Sequence, residues 1–181
     1  YVLGTHDQIR LSTRCVGQPQ ARVAAMLLLT LPGMPTVYYG DEVGVTGDDD
    51  PDDRRTYPWA DLGGTPDNSM LAHYSALAKL RKASPSFVVG DLRMLLADDA
   101  KGVVAYGRKE SNSAALVLIN RGDAPQTIDV PLTGYLPNGV RLFSPFAVNM
   151  ASPAPVFVTN GKISVQLPAF GGLVLANYNT D

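Results

Sequence analysis

A histidine and an aspartate follow the first apolar segment of the chain. Residues 1–3 are predicted to form a short strand that ends at Gly4, and the run Thr5-His6-Asp7 comes directly after it. In parallel α/β sheets and barrels, catalytic and binding groups collect at the carboxyl ends of the strands. A His-Asp pair in that place could bind sugar hydroxyls, coordinate a metal ion or transfer protons. A turn in which the aspartate caps a loop is the structural alternative.

A second set of charged residues occupies a long polar segment, residues 40–66. Loops of this length inside compact domains are usually functional or disordered. Asp50 and Arg54 lie in it, and a carboxylate and a guanidinium can both make directional bonds to neighbouring hydroxyls. A solvated charged loop is the alternative. Calcium would also suit clustered aspartates, but the spacing lacks the glycine and the terminal glutamate of an EF-hand loop. We therefore expect neither a metal ion nor a cofactor.

The elements that would position these side chains alternate between strand and helix. A helix is predicted over residues 20–31, because Gln18-Pro19 is a start signal and a broad apolar face follows. Residues 35–39 are apolar without polar alternation, which is typical of a parallel strand buried on both faces. A second helix is predicted over residues 68–82, with Asp67 or Asn68 as its N-cap.

The pattern changes at Ser84-Pro85, after which only short strands and turns follow. Asn160-Gly161 is a two-residue hairpin signal that would join residues 156–158 to residues 162–167. This pattern predicts an antiparallel Greek-key β-sandwich and two domains, residues 1–84 and residues 85–181. The other strands are predicted over residues 92–96, 103–107, 115–119, 127–130 and 172–176.

Three segments, in order along the chain, resemble the α-amylase family, glycoside hydrolase family thirteen. Residues 27–44, LLLTLPGMPTVYYGDEVG, are similar to that family's seventh helix and eighth strand. Residues 3–7, LGTHD, then resemble its signature at the end of the seventh barrel strand. Residues 50–59, DPDDRRTYPW, resemble the loop after the eighth strand. This loop is most similar to that of the neopullulanase, cyclomaltodextrinase and maltogenic amylase branch of the family. Residues 168–175, PAFGGLVL, are similar to the last strand of the family's tail domain.

This resemblance implies a fold and an activity. Residues 1–84 would be the last quarter of a TIM (β/α)8 barrel, from strand 7 to helix 8, and an all-β domain would follow. The parent protein would be a retaining glycosidase that acts on starch, maltodextrin or cyclodextrin. Asp7 matches the aspartate that stabilises the transition state, and His6 matches the histidine that binds the same glucose. Asp50 and Arg54 match positions that reach the next sugar on the non-reducing side.

The resemblance also places the nucleophile and the general acid on barrel strands 4 and 5, upstream of this chain. The isolated chain is therefore expected to be inactive. An alternative function is a non-catalytic β-sandwich that stabilises a larger protein or binds carbohydrate. That function predicts a row of exposed aromatic side chains on the sandwich.

Composition limits the partners and leaves the compartment open. The formal net charge of −2 argues against a nucleic-acid partner, and no apolar run is long enough for a membrane span. The single cysteine, Cys15, fits a reducing compartment without requiring one. The chain begins at Tyr1 with no signal-peptide pattern, so we expect a longer parent, either cytoplasmic or secreted. The expected partners are an α-glucan oligosaccharide or polysaccharide and the upstream part of the same protein. Self-association of the chain is a further expectation.

Overall fold

The computed structural model describes residues 1–178. The chain divides into two compact units, Tyr1–Lys79 and Leu80–Asp181. None of the helices in the described part of the chain has the length and apolar character needed to cross a membrane.

The first unit is built from helices and loops. Helix α2 contains Pro19 in its first turn and buries side chains on most of its circumference, which confirms the predicted apolar helix. Helix α3 begins after Asp67, whose Oδ1 accepts hydrogen bonds from the amides of Ser69 at 2.9 Å and Met70 at 3.1 Å. Asp67 is therefore the N-cap. The helices are α1 (Leu11–Arg14), α2 (Gln18–Thr30) and α3 (Asn68–Ala83), which continues past the end of this unit at Lys79. Short 3₁₀ helices lie at Asp41–Val43, Asp52–Arg54 and Ala60–Leu62.

The two strands predicted for this unit are wrong in length. Val2 and Thr36 form a single parallel bridge, in which the Thr36 amide donates to the carbonyl oxygen of Tyr1 at 2.9 Å. Val37 and Tyr39, predicted to be buried on both faces of the sheet, are exposed. A parallel strand is stabilised when neighbours pair with it on both sides and helices cover its faces. Within residues 1–79, only the segments around Val2 and Thr36 lie side by side. They are parallel, as predicted, but they form one bridge and not a longer ladder of hydrogen bonds.

The second unit consists mainly of antiparallel strands in two sheets. The larger sheet has the order β1-β2-β3-β8-β5-β6, and the smaller sheet pairs β4 with β7. Apolar residues of both sheets form one core, as the sandwich prediction requires. A short helix, α4 (Pro85–Val88), precedes the strands. The strands are β1 (Asp91–Asp98), β2 (Val103–Glu110), β3 (Ser113–Asn120), β4 (Gln126–Pro131), β5 (Arg141–Val148), β6 (Val156–Phe157), β7 (Lys162–Leu167) and β8 (Gly172–Ala176).

The predicted hairpin at Asn160-Gly161 is only partly present. Both residues have positive φ, 52° and 70°, as a tight two-residue turn requires. Only Thr159 and Lys162 pair across the turn, because β6 joins β5 in the larger sheet while β7 joins β4 in the smaller one. The local sequence therefore determines the turn, and the pairing on each side is set by the two sheets that share the core.

Candidate functional site

Arg54 contacts the other three residues that the sequence predicts for the site, His6, Asp7 and Asp50. Its Nη2 lies 3.2 Å from Asp7 Oδ1 and 3.0 Å from Asp50 Oδ2. Its Nε donates to the carbonyl oxygen of His6 at 2.9 Å, and His6 Nε2 lies 3.1 Å from Asp7 Oδ2. We call His6, Asp7, Asp50 and Arg54 the loop cluster. The two segments that contribute to it are more than 40 residues apart in the sequence.

Two tight local structures position the loop cluster. On one side, the Asp7 amide donates to Thr5 Oγ1 at 3.3 Å, so Thr5 closes the turn that presents His6 and Asp7. On the other side, Arg54 ends the 3₁₀ helix Asp52–Arg54, directly after the cis peptide bond between Asp50 and Pro51. Within this loop, the Asp52 amide donates to the carbonyl oxygen of Asp49 at 2.9 Å and the Arg54 amide to that of Pro51 at 3.1 Å.

The loop cluster is open to solvent. The exposed fractions of its side chains are 68% for His6, 66% for Asp7, 55% for Asp50 and 43% for Arg54. Ion pairs this exposed contribute about 0–1 kcal/mol each to stability, so the loop cluster adds little to the stability of the fold. Carboxylate oxygens and guanidinium N–H groups that face solvent together can accept from and donate to adjacent hydroxyls of one polar ligand.

A buried ion pair, which the sequence analysis missed, lies in the same unit. Arg10 Nη1 is 3.5 Å from Asp41 Oδ1, and the two side chains are 0% and 2% exposed. Burial raises the pKa of Asp41 from its usual 3.8 to about 6, and the Arg10 guanidinium opposes that rise. Arginine is rarely buried without a partner, but no pattern around Arg10 in the sequence indicates which acceptors it meets.

The raised pKa of Asp41 predicts a pH-dependent stability. The folded chain binds the Asp41 proton more tightly than the unfolded chain, so this contribution to stability is complete below about pH 4 and is lost as the pH rises through about 6. The loss amounts to roughly 3 kcal/mol. We expect the free energy of unfolding of the wild-type chain, relative to that of Asp41→Asn, to fall by this amount over this range. The variant lacks the titrating carboxyl but keeps groups that act in the opposite direction, such as His73, whose pKa is lowered by burial. Urea unfolding at several pH values, followed by the fluorescence of Trp59, the single tryptophan, measures it.

The exposed Asp49→Asn provides the control, because it removes a carboxylate from the same unit without changing a buried group. A wild-type pH dependence that persists unchanged in Asp41→Asn would contradict the assignment.

Other candidate features of the sequence do not join the loop cluster. No group of three or more His, Cys, Asp or Glu side chains within residues 1–178 is arranged to hold a metal ion. Phe157 of the β-sandwich is 55% exposed, but five other aromatic residues that could form a carbohydrate-binding row are buried or half-buried in the described structure. They are Tyr106, Tyr135, Phe143, Phe146 and Tyr178.

The loop cluster lies in the part of the chain that matches a known protein family. Residues 1–61 match the family model of the α-amylase catalytic domain, and this range contains all four residues of the loop cluster. The chain is 31% identical to an amylopullulanase of Thermoanaerobacterium thermosulfurigenes over 96% of its length, which is 10% of that protein. It is 28% identical to a cyclomaltodextrinase of Geobacillus thermopakistaniensis over 97% of its length, which is 28% of that protein.

A solved structure shows a similar fold. The α-amylase of Geobacillus thermoleovorans, determined in complex with acarbose, superposes on 97% of this chain and 38% of its own with a TM-score of 0.81. The sequence identity is 23%, so this likeness concerns the fold alone. The chain spans well under half of the length of each of these proteins.

Proposed function

Because the chain belongs to the α-amylase family, we propose that it is the C-terminal portion of a longer, retaining glycoside hydrolase that acts on α-glucans. Starch, maltodextrins and cyclodextrins are the proposed substrates. The observation that carries the proposal is the loop cluster. Its residues come from two distant places in the sequence, and the guanidinium of Arg54 joins them in space.

We propose further that residues 1–84 are the last quarter of a (β/α)8 barrel and that residues 85–181 form a Greek-key β-sandwich. The parallel bridge between Val2 and Thr36, with helix α2 between them in the sequence, supports a strand–helix–strand unit. The exposed Val37 and Tyr39 would then pack against the upstream part of the barrel. The two antiparallel sheets around one core support the sandwich.

Asp7 has the chemistry needed to stabilise the transition state. A retaining glycosidase passes through a state in which the reacting sugar flattens and gains positive charge. A carboxylate that accepts hydrogen bonds from the ring hydroxyls binds that state more tightly than the ground state, and this difference accelerates the reaction. Arg54 and His6 each contact one oxygen of Asp7, so the carboxylate is oriented before the sugar arrives. The nucleophile and the general acid belong to the upstream part of the parent enzyme.

Arg54 and Asp50 would hold the neighbouring sugar. Their ion pair has a length of 3.0 Å, which gives one donor group and one acceptor group side by side for adjacent hydroxyls. Because Nη2 of Arg54 also reaches Asp7, the same side chain would connect the two sugar positions.

Arg54→Ala in the full-length parent enzyme tests this assignment. We expect KM for maltodextrin to rise by about tenfold or more, because the neighbouring sugar loses hydrogen bonds from a charged donor. The value of kcat should fall less than it does for Asp7→Asn, since the transition-state carboxylate remains. Steady-state kinetics of both variants measure this difference.

Arg55→Ala is the matched control. Arg55 is the next residue and makes its own surface pair, 2.8 Å from Asp52, so its loss should leave KM almost unchanged. If Arg54→Ala lowered kcat as far as Asp7→Asn while KM held steady, the assignment of Arg54 to the neighbouring sugar would be wrong.

A further inference from the structure

Arg10 has more contacts than its pair with Asp41. Its side chain is fully buried. Nε donates to the carbonyl oxygen of Asp53 at 2.6 Å, and Nη1 donates to the carbonyl oxygen of Tyr39. Two backbone carbonyls from different segments therefore accept from one guanidinium. The Asp53 carbonyl belongs to the peptide unit that links Asp53 to Arg54 of the loop cluster.

The rings beside Arg10 hold the guanidinium in place. Its Cζ lies 4.0 Å from the ring centroid of Tyr38 and 4.6 Å from that of Tyr39. A planar guanidinium can stack on aromatic rings and donate from its edge at the same time. A lysine ammonium could contact one of these acceptors, but it could not reproduce the fork of donors or the stacking.

Backbone contacts attach the start of the same loop to the segment that contains Arg10. The Arg10 amide donates to the carbonyl oxygen of Gly47 at 3.0 Å, and the Gly47 amide donates to Thr13 Oγ1 at 2.9 Å. Gly47 also packs so closely on Asp52 and Asp53 that a Cβ atom would clash with their backbone. Residues 47–53 are therefore folded against one another, and a displaced Asp53 carbonyl would displace Arg54 with it.

We propose that Arg10 is a positioning residue that fixes residues 47–55 against residues 38–41 and thereby sets the position of Arg54. Arg10 is fully buried and bonded to both segments, whereas Arg54 is exposed and meets Asp7 and Asp50 at the surface. The order of the exposed loop cluster thus depends on a buried contact. Its consequence for catalysis rests on the proposed function, but the positioning itself does not.

Amide hydrogen exchange of the 181-residue chain tests the positioning without any activity. The amides of Gly47, Asp52 and Arg54 are hydrogen-bonded, so their exchange reports the order of the loop. In Arg10→Lys we expect these three amides to exchange about tenfold faster or more, because lysine can keep at most one of the two charge-assisted hydrogen bonds to the carbonyls of Tyr39 and Asp53. The amides of helix α2 should keep their wild-type rates.

Arg121→Lys is the matched control. It makes the same chemical change at a surface pair with Asp99 and should leave all of these rates unchanged. Unchanged exchange at Gly47, Asp52 and Arg54 in Arg10→Lys would overturn the proposal. Faster exchange throughout helix α2 would overturn it as well, because Arg10 would then support the whole unit and not the loop. In Arg10→Ala, guanidinium ion below denaturing concentrations should restore slow exchange, and sodium chloride at the same concentration should not.

Kinetics of the full-length parent enzyme give the catalytic consequence. Arg10→Lys should raise KM for maltodextrin, and the double variant with Arg54→Ala should show less than the sum of the two effects, because both act through the same side chain. Additive effects would contradict positioning of Arg54 by Arg10. If Arg54→Ala itself left KM unchanged, the sugar-binding assignment would fail, and the exchange measurement would still decide the role of Arg10.

Discussion

Replacement of Asp7 by asparagine in the full-length parent enzyme should lower kcat by about a hundredfold or more. The loss of one group that stabilises a transition state typically costs about 3 kcal/mol or more. Asparagine keeps the size of the side chain but removes its negative charge and one of its two acceptor oxygens. Both oxygens of Asp7 have partners, Arg54 and His6, so the substitution also disturbs the orientation of the group. Steady-state rates on maltodextrin measure the effect.

The fold should survive this substitution, because the Asp7 side chain is 66% exposed and surface changes of this kind usually alter stability by about 0.5 kcal/mol or less. The variant Asp49→Asn provides the control, because it makes the same chemical change at an exposed residue next to Asp50. Its kcat should stay close to that of the wild type. A near-normal kcat in Asp7→Asn, with folding intact, would remove Asp7 from the catalytic residues.

The isolated 181-residue chain should release no sugar from starch, maltodextrin or cyclodextrin. A retaining mechanism needs a carboxylate nucleophile and a carboxylic acid about 5 Å apart, and family resemblance assigns both to upstream strands. The two carboxylates of the loop cluster, Asp7 and Asp50, both pair with Nη2 of Arg54. That arrangement suits the binding of hydroxyls. A reducing-sugar assay on the purified chain measures this, with the full-length parent enzyme as the positive control.

Traces of a contaminating amylase could imitate activity, so the Asp7→Asn form of the same chain serves as the control. Turnover that rises with the amount of the chain and disappears in Asp7→Asn would show that the chain contains a complete catalytic set. The proposed division of the active site between this chain and an upstream part would then be wrong.

The two long helices, α2 and α3, and most strands of the second unit could be predicted because local patterns specify them. The broad apolar face of α2 and its early proline locate that helix. The polar–apolar alternation of β7 matches its observed burial, in which every second residue is buried. Both are properties of a few neighbouring residues, so no knowledge of the partner elements is needed.

Strand β5 could not be predicted, because its local sequence does not resemble a regular strand. Pro145 lies within it and cannot donate to a ladder. The pairing with β8 shifts register between Phe143 and Phe146, so the strand contains an irregularity. The burial of β5 does not alternate either, and only its place between β8 and β6 in the sheet accounts for it.

The contacts within the candidate site could not be predicted from the sequence. Family resemblance selected His6, Asp7, Asp50 and Arg54, yet nothing in the sequence indicates that one nitrogen of Arg54 meets both carboxylates. Arg10 was missed altogether. The role of a buried arginine depends on the carbonyl oxygens that accept its hydrogen bonds. Here these oxygens belong to Tyr39 and Asp53, which are distant from Arg10 in the sequence.

The anomeric configuration of the first product tests the central proposal most directly. Proton NMR can follow the full-length parent enzyme from the first turnovers on maltodextrin, before the released sugar equilibrates in water. A retaining enzyme that cleaves α-linkages releases the α-anomer first, and the β-anomer then grows in by mutarotation. We predict this order. Initial release of the β-anomer would show inversion, and no release from any α-glucan would show that the substrate is a different one; either result would contradict the account.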